Sequence, residues 1–265
     1  MNKKNPKLKI LFFIFSLNII VSIIYLLNHY YLQYKNETLY KELQSQVTQT
    51  QVILPTPKAS SKLTHSPSPS QEPLPETSHL NIDFDALKNL NNDIYAWIYI
   101  PNTEINYPIL QHPEDDSYYL NHNLDGQKGY PGCIYSEKYN SIDFSDPVTV
   151  LYGHNMNNGT MFGALLKYED THFLDENYRL SIYTPKHFFE YEIVLVAEYD
   201  NIHILKNFNF LEKEGKTLFL KSVLNESQKV LTKDLDVHST SQLLILSTCL
   251  NTNPSKRLLI IAQKL

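Results

Sequence analysis

The segment QLLILSTCL, residues 242–250, sets the expectation for the fold. Its first six residues, 242–247, form an apolar run typical of a buried β-strand, and Cys249 lies at the end of that strand. A second apolar run, LLIIA at 258–262, follows after a short polar stretch. Two such runs predict an antiparallel hairpin, which would bring Arg257 beside Cys249.

The chain before this hairpin contains further short runs of β-branched and aromatic residues, separated by turn residues. These runs predict strands at 96–100, 105–111, 148–152 and 188–196. Short helices are predicted over Ile82 to Leu90, opened by Asn81 or Asp83, and over Phe219 to Glu226. Because strands and helices do not alternate, the chain is expected to be mainly β, as a closed or nearly closed barrel with inserted helices.

The composition of the 265-residue chain excludes several classes of protein. A formal net charge of −5 without a large basic block argues against nucleic-acid binding. Two cysteines are too few for a disulfide scaffold or a cysteine-rich zinc module, and the histidines lack metal-ligand spacing, so neither metal nor cofactor is predicted. Six of the seven glycines lie between Gly126 and Gly163, which indicates unusual backbone conformations there.

The N-terminus predicts a membrane anchor. Residues 10–27 carry no charge and are just long enough to cross a bilayer, whereas a cleaved signal peptide would need a shorter apolar core and a cleavage site of small residues. Four lysines precede the segment with no acidic residue among them. By the positive-inside rule, residues 1–9 form a cytoplasmic tail and the rest lies outside the cell, in a single-pass protein of the cell membrane.

Residues 28–80 are expected to form an extracellular stalk or linker. Its later part, 45–79, holds six of the fourteen prolines and no glycine or aromatic residue, a composition typical of an extended, disordered spacer. Such a spacer would hold the following domain away from the membrane. The predicted folded domain covers 81–265.

Two residues of the folded domain are candidates for chemistry. An unpaired thiol is a liability outside the cell, so Cys249 at a strand end is a candidate nucleophile. A thiol nucleophile needs a base, and His154 follows the strand at 148–152 directly after Gly153, which permits a sharp exit. The other cysteine, Cys133, is interpreted as a core thiol, with a disulfide to Cys249 as the alternative.

These motifs resemble, in order and spacing, the class B sortases, which are membrane-anchored cysteine transpeptidases of Gram-positive bacteria. The resemblance covers about residues 82–265 and implies an eight-stranded β-barrel with added helices. The motifs that carry it are AWIYIP (96–101), INYPILQ (105–111), SYYL (117–120), YGHNM (152–156), GTMF (159–162), LSTC (246–249) and Arg257.

The resemblance also implies a reaction. Cys249 would attack a C-terminal sorting signal after Thr and form a thioester, His154 would act as general acid and base, and Arg257 would bind the substrate carbonyl. The implied partners are surface proteins with a sorting motif and an amine acceptor on a peptidoglycan precursor or a pilin subunit. Residues expected near the substrate are Leu120, Ser247, Thr248 and, through its backbone N–H, Leu250.

Two positions depart from the family pattern. Asn251 stands where some relatives carry an acid, which favours a Cys-His-Arg site over a Cys-His-carboxylate triad. Asp116 stands where Asn is frequent, which leaves recognition of the first substrate residue open. The alternative functions are an L,D-transpeptidase-like wall cross-linker, which would need a Gly directly before the Cys, and a non-catalytic envelope-anchored binding or assembly protein.

Overall fold

The computed structural model describes residues 6–49, 80–212, 214–227, 230–232 and 241–265. Within them, nine strands form one sheet: β1 (Ile94–Tyr99), β2 (Asn106–Leu110), β3 (Ile134–Tyr135), β4 (Val148–Tyr152), β5 (Arg179–Tyr183), β6 (Phe188–Asp200), β7 (Val230–Thr232), β8 (Leu243–Leu250) and β9 (Asn253–Lys264). The α-helices are α1 (Pro6–Gln49), α2 (Phe84–Leu90), α3 (Thr171–Glu176), α4 (Ile204–Asn207) and α5 (Gly215–Glu226). Two 3-10 helices span Tyr118–Leu120 and Phe162–Glu169.

Eight of these strands close into a barrel. Their order is β5-β1-β2-β3-β4-β8-β9-β6, and β6 pairs back onto β5. The neighbouring strands are antiparallel except for the β2–β3 and β4–β8 pairs, which are parallel, and β7 adds to β6 outside the closed ring. The predicted eight-stranded barrel with added helices is therefore confirmed.

The segments 243–246 of β8 and 258–262 of β9 are apolar because both faces of the hairpin are buried there. Leu244 and Leu246 belong to the larger hydrophobic cluster, which surrounds Trp97. Leu243 and Ile245, on the opposite face, pack in a second cluster with Phe219 of α5. A strand buried on both faces loses the alternation of apolar and polar residues, which explains the continuous run in the sequence.

The predicted helices are present with adjusted ends. The side chain of Asp83 accepts a hydrogen bond of 2.9 Å from the backbone N–H of Ala86, so α2 begins after this cap and not at Ile82. Helix α5 begins at Gly215, four residues before the predicted Phe219. In the added first turn, Gly215 is buried against the backbone of Asn209 and Phe210, six and five residues earlier in the chain, where a side chain would collide with the Asn209 carbonyl.

Helix α1 joins the apolar N-terminal segment to the barrel without a break. It is long and apolar enough to cross a membrane, and the side chains of residues 10–27 are exposed. Its later turns pack on the barrel, where Asn36, Tyr40 and Val47 are buried. A residue spacing of four and seven places these three side chains on one face of the helix.

Polar contacts hold the docked part of α1 in place. Lys35 Nζ lies 3.0 Å from Asp125 Oδ2, and the Tyr40 hydroxyl donates a 3.1 Å hydrogen bond to the Gly132 carbonyl. Residues 28–49 are thus helical, with 35–47 seated on the domain, which corrects the predicted stalk over this part of 28–80. Residues 50–79, the rest of that prediction, lie outside the described residues.

Candidate active site

The ends of neighbouring strands surround a cleft of about 350 Å³. Tyr135 of β3 and Tyr152 of β4, paired across the two strands with ring centroids 5.5 Å apart, lie in its wall. Of the predicted site residues, the structure brings six to this cleft: Leu120, His154, Ser247, Thr248, Cys249 and Arg257. The seventh, Leu250, has a buried side chain that does not line the cleft, and only its backbone was expected to act.

Cys249 and Arg257 face each other across the β8–β9 hairpin, as the sequence predicted. The pairing register is interrupted immediately after Cys249, between it and Leu250. Arg257 Nη1 donates hydrogen bonds of 3.1 and 2.9 Å to the carbonyls of Pro254 and Lys256 in the turn. The guanidinium is therefore held through one nitrogen by its own hairpin, and its Nε and Nη2 groups make no hydrogen bond to the described part of the chain.

His154 lies on the loop that follows β4. The backbone N–H of Gly153 bonds to the Ser247 carbonyl, and a Cβ at Gly153 would lie 2.8 Å from Phe162 Cγ, so a side chain there would displace the Phe162 ring. The imidazole Nε2 of His154 is 2.6 Å from the Leu120 carbonyl oxygen. Because a carbonyl only accepts, Nε2 carries a proton in this contact and Nδ1 is the nitrogen left for proton exchange with a substrate.

Three hydrogen bonds tie the His154 loop to the strand that carries Cys249. Thr248 Oγ1 donates to the Gly153 carbonyl at 2.8 Å, and Asn155 Nδ2 donates to the Cys249 carbonyl at 2.9 Å. Asn251 Nδ2, at the position where some relatives carry an acid, donates to Asn157 Oδ1 at 3.0 Å. His154 and Cys249 are thus positioned relative to each other by these hydrogen bonds, in which Asn155 and Asn251 were not predicted.

Cys133 lies apart from this chemistry. It is buried beside the docked α1 helix and is a free thiol, as is Cys249, so the core-thiol prediction is confirmed and the alternative of a disulfide is wrong. Burial raises the pKa of Cys133 to about 12, which keeps it protonated at neutral pH.

The cleft also contains a titratable pair that the sequence did not reveal. His203, directly before α4, and Glu137, just after β3, lie with Nε2 and Oε2 3.0 Å apart. Burial raises the pKa of Glu137 to about 7, with a further contribution from Asp116, and burial lowers the pKa of His203. Both shifts are opposite to those that an ion pair produces, so the contact is a hydrogen bond from a neutral imidazole.

The site can carry out thiol-dependent acyl transfer. It joins a partly exposed thiol, an imidazole and a permanently charged guanidinium in one cleft, and these are the nucleophile, proton carrier and oxyanion partner that such a reaction requires. Among the described residues, no group of three or more His, Cys, Asp or Glu could hold a metal ion. The fold and site together define a β-barrel with a thiol-centred cleft.

Comparisons with known proteins identify the family. A sequence profile of the Sortase domain matches residues 98–265. Sortase B of Listeria monocytogenes is 36% identical over 163 residues, which span 62% of this chain and 65% of that protein. The crystal structure of sortase B from B. anthracis in complex with AAEK1 matches with a TM-score of 0.66 at 27% identity, and covers 88% of this chain and 97% of that one.

A third match is the crystal structure of Clostridium perfringens sortase B, with a TM-score of 0.61, 27% identity and coverage of 69% of this chain and 100% of that one. The chain belongs to the sortase family, whose members are cysteine transpeptidases, and its relatives place it in class B. The family resemblance found in the sequence is therefore confirmed.

Proposed function

We propose that this chain is a cysteine transpeptidase that cleaves a C-terminal sorting signal after Thr and transfers the protein to an amine of the cell wall or of a pilin subunit. The observation that carries the proposal is the pairing of Cys249 with Arg257 in the cleft that also holds His154. Family membership supports the reaction class. The sorting signal, the cleavage position and the acceptor are those that the resemblance to class B sortases implies.

The first half-reaction forms a thioester. The Cys249 thiolate attacks the Thr carbonyl carbon, and the charge that develops on the oxygen is stabilised by Arg257. The register interruption after Cys249 leaves the N–H of Leu250 outside a regular ladder, which supports its role as a second donor. When the C–N bond breaks, the leaving amine takes a proton from the imidazolium of His154.

The second half-reaction restores the enzyme. Neutral His154 takes a proton from the acceptor amine as that amine attacks the thioester carbonyl, and the C–S bond breaks to release the Cys249 thiolate. Leu120 supplies the carbonyl that orients His154, and Ser247 lines the same cleft. The Thr248 hydroxyl donates its hydrogen bond to the Gly153 carbonyl. We therefore propose that Thr248 affects the substrate indirectly, by positioning the loop that carries His154.

We also propose that α1 anchors the protein in the cell membrane, with the N-terminus in the cytoplasm and the barrel outside. The apolar, uncharged segment at 10–27 and its exposed side chains support the anchor. The lysines before the segment support the orientation. A reporter that is active only in the cytoplasm can be fused to the C-terminus to test this orientation. Activity of that reporter would contradict it.

The reaction is tested with the full chain in detergent, fluorogenic peptides of LPxT and NPxT type, and triglycine as acceptor. Wild type should form a thioester detectable by intact-protein mass spectrometry and release the reporter, whereas Cys249→Ala should do neither. Cys133→Ala is the matched control and should retain turnover. Reporter release by Cys249→Ala would refute the assignment of the nucleophile.

Arg257 is tested by Arg257→Gln and Arg257→Lys. Loss of an oxyanion donor typically lowers kcat by about 100- to 1,000-fold. Arg257→Lys keeps the positive charge but loses the planar guanidinium, so kcat should fall less than in Arg257→Gln. Arg179, exposed on β5, offers the control Arg179→Gln, which should behave as wild type. Equal turnover of Arg257→Gln and Arg179→Gln would remove Arg257 from the mechanism.

The same peptide panel separates the alternative functions. Turnover of peptidoglycan tetrapeptides but of no sorting-signal peptide would favour an L,D-transpeptidase-like cross-linker. Binding of a peptide or wall fragment without any thioester would favour a non-catalytic envelope-anchored protein.

A further inference from the structure

Glu137 and Cys249 lie toward opposite ends of the cleft. Tyr135, Tyr152 and Ser247 form a row across β3, β4 and β8, because Tyr135 pairs with Tyr152 and Tyr152 with Ser247. β4 and β8 are parallel, so the chain continues from this row to His154 and Cys249 in one direction. β3 is antiparallel to β4, so Glu137 lies in the other direction. Glu137 and His154 each lie two residues beyond this row, in opposite directions.

His203 is held in one tautomer at this end of the cleft. Its Nδ1 accepts a 3.2 Å hydrogen bond from the backbone N–H of Lys206, so the proton of the neutral ring is on Nε2. Nε2 therefore donates to Glu137 Oε2 at 3.0 Å. The Tyr152 hydroxyl lies 3.5 Å from the same oxygen, on the other side of the contact.

This arrangement leaves one oxygen of Glu137 available. His203 Nε2 and the Tyr152 hydroxyl both contact Oε2. Within the described residues no hydrogen bond is made to Oε1. The Glu137 side chain is only 13% exposed, so a ligand that contacts it does so within the wall of the cleft. The nearby charges are Asp116, which is negative, and Lys206, whose Nζ lies 5.2 Å over the ring of Tyr139.

We propose that Glu137, oriented by His203 and Tyr152, binds a cationic group of the substrate, an ammonium or guanidinium, at the end of the cleft away from Cys249. A carboxylate with one free oxygen and a fixed orientation is the group that such a cation prefers. Arg257 at the opposite end is positive, so the charges in the cleft fix the direction in which a polar substrate lies. This inference rests on the proposed transpeptidase reaction and names a specificity residue for it.

The cation can come from a basic side chain of the sorting signal or from a second, non-reacting cationic group of the acceptor, and two assays separate these sources. In the first, wild type, Glu137→Gln and the control Glu114→Gln acylate peptides that carry Lys or norleucine at each position in turn. In the second, the thioester is released by triglycine extended at its C-terminus with Lys or with norleucine, so that both acceptors attack through the same amine and only one carries a further cation. Both assays use the full chain in detergent at pH 8, where Glu137 is ionised.

Wild type should prefer Lys over norleucine at one position of the sorting peptide, or the Lys acceptor over the norleucine acceptor, by about tenfold, the size of one charge-assisted hydrogen bond. Glu137→Gln should abolish the preference, whereas Glu114→Gln, which neutralises an exposed acid outside the cleft, should keep it. His203→Gln should weaken the preference by releasing the orientation of Glu137.

Two results would overturn the inference. If wild type forms the thioester but shows no preference for a cation in either assay, or if Glu137→Gln keeps the wild-type preference, Glu137 does not bind a substrate cation, and the transpeptidase proposal is unaffected. If wild type forms no thioester with any peptide, the transpeptidase proposal fails and this inference fails with it.

Discussion

Replacement of Tyr40 tests whether the second half of α1 is a structural part of the catalytic domain. Tyr40 is buried, donates a hydrogen bond to the Gly132 carbonyl at 3.1 Å, and contacts Tyr107 edge-on with ring centroids 5.3 Å apart. The change Tyr40→Phe removes one buried hydrogen bond, worth about 1 kcal/mol. The change Tyr40→Ala also removes the ring, for a total loss of about 3–5 kcal/mol by comparison with buried aromatic truncations.

These energies translate into measurable shifts in Tm. In a domain of this size 1 kcal/mol lowers Tm by about 2–4 °C, so Tyr40→Phe should melt about 3 °C below wild type and Tyr40→Ala about 10 °C or more below it. The single tryptophan, Trp97, is fully buried in the barrel, and its fluorescence reports unfolding of that domain. The assay is thermal unfolding of the full chain in detergent.

A matched control is available on the same helix. Tyr34 is 70% exposed, so Tyr34→Ala should change Tm by no more than about 2 °C, in line with a surface substitution. If Tyr40→Ala melts at the same temperature as Tyr34→Ala, α1 does not stabilise the barrel, and the docked arrangement described above is refuted.

Three further predictions concern the site and its surroundings. Iodoacetamide should label Cys249 and not Cys133 in the native protein, because Cys133 is buried with a pKa of about 12; native labelling of Cys133, read by peptide mass spectrometry, would contradict its core position. Thr248→Val should cost about 1–3 kcal/mol in urea unfolding and slow thioester formation, because the Gly153 carbonyl before the His154 loop loses its donor; unchanged values for both would show that this bond does not hold the loop. The free energy of unfolding of wild type should fall as pH rises from about 4.5 to above about 7, because the pKa of Glu137 is higher in the folded protein than in the unfolded chain. Glu137→Gln should reduce that fall by about 1 kcal/mol. If the difference in Tm between pH 5 and pH 8 is the same for the two proteins, Glu137 is not the group responsible.

The central hairpin was predictable because its information is local. Two apolar runs flank a short polar turn, so the pairing of Cys249 with Arg257 followed from the sequence alone. β3 was not predicted because it has two residues, and β5, with the sequence RLSIY, has too few apolar residues to stand out. Both strands exist because their neighbours in the barrel supply pairing partners, which no local pattern records.

The site shows the same division. His154 and Cys249 were found from their positions at strand ends, whereas Glu137 and His203 come from loops 66 residues apart in the chain and meet only because the barrel closes. Asn155 stood within a recognised motif, but its bond to the Cys249 carbonyl depends on the parallel pairing of β4 with β8. Contacts of this kind can be predicted only when the order and pairing of the strands are known.

The docked part of α1 did have a sequence signal. Asn36, Tyr40 and Val47 follow helical spacing, and Leu39 and Leu43 pack beside the same core, so a helix-period search would have found the stripe. The polar composition around these residues, and the proline-rich stretch after them, favoured a linker over the whole of 28–80. The average composition of residues 28–80 is polar, and it does not indicate the apolar helix face within residues 35–47.

This docking changes what residues 50–79 are able to do. With 10–27 in the membrane, as proposed above, Leu27 and the first buried contact at Asn36 are nine helical steps apart, a rise of about 14 Å. The segment after α1 then starts from a helix already seated on the barrel and returns to α2, and Val47 and Ile82 line the same surface cleft. Its length therefore does not set the distance between the barrel and the membrane. In the proposed membrane topology that distance is set by α1, which places the barrel close to the membrane surface.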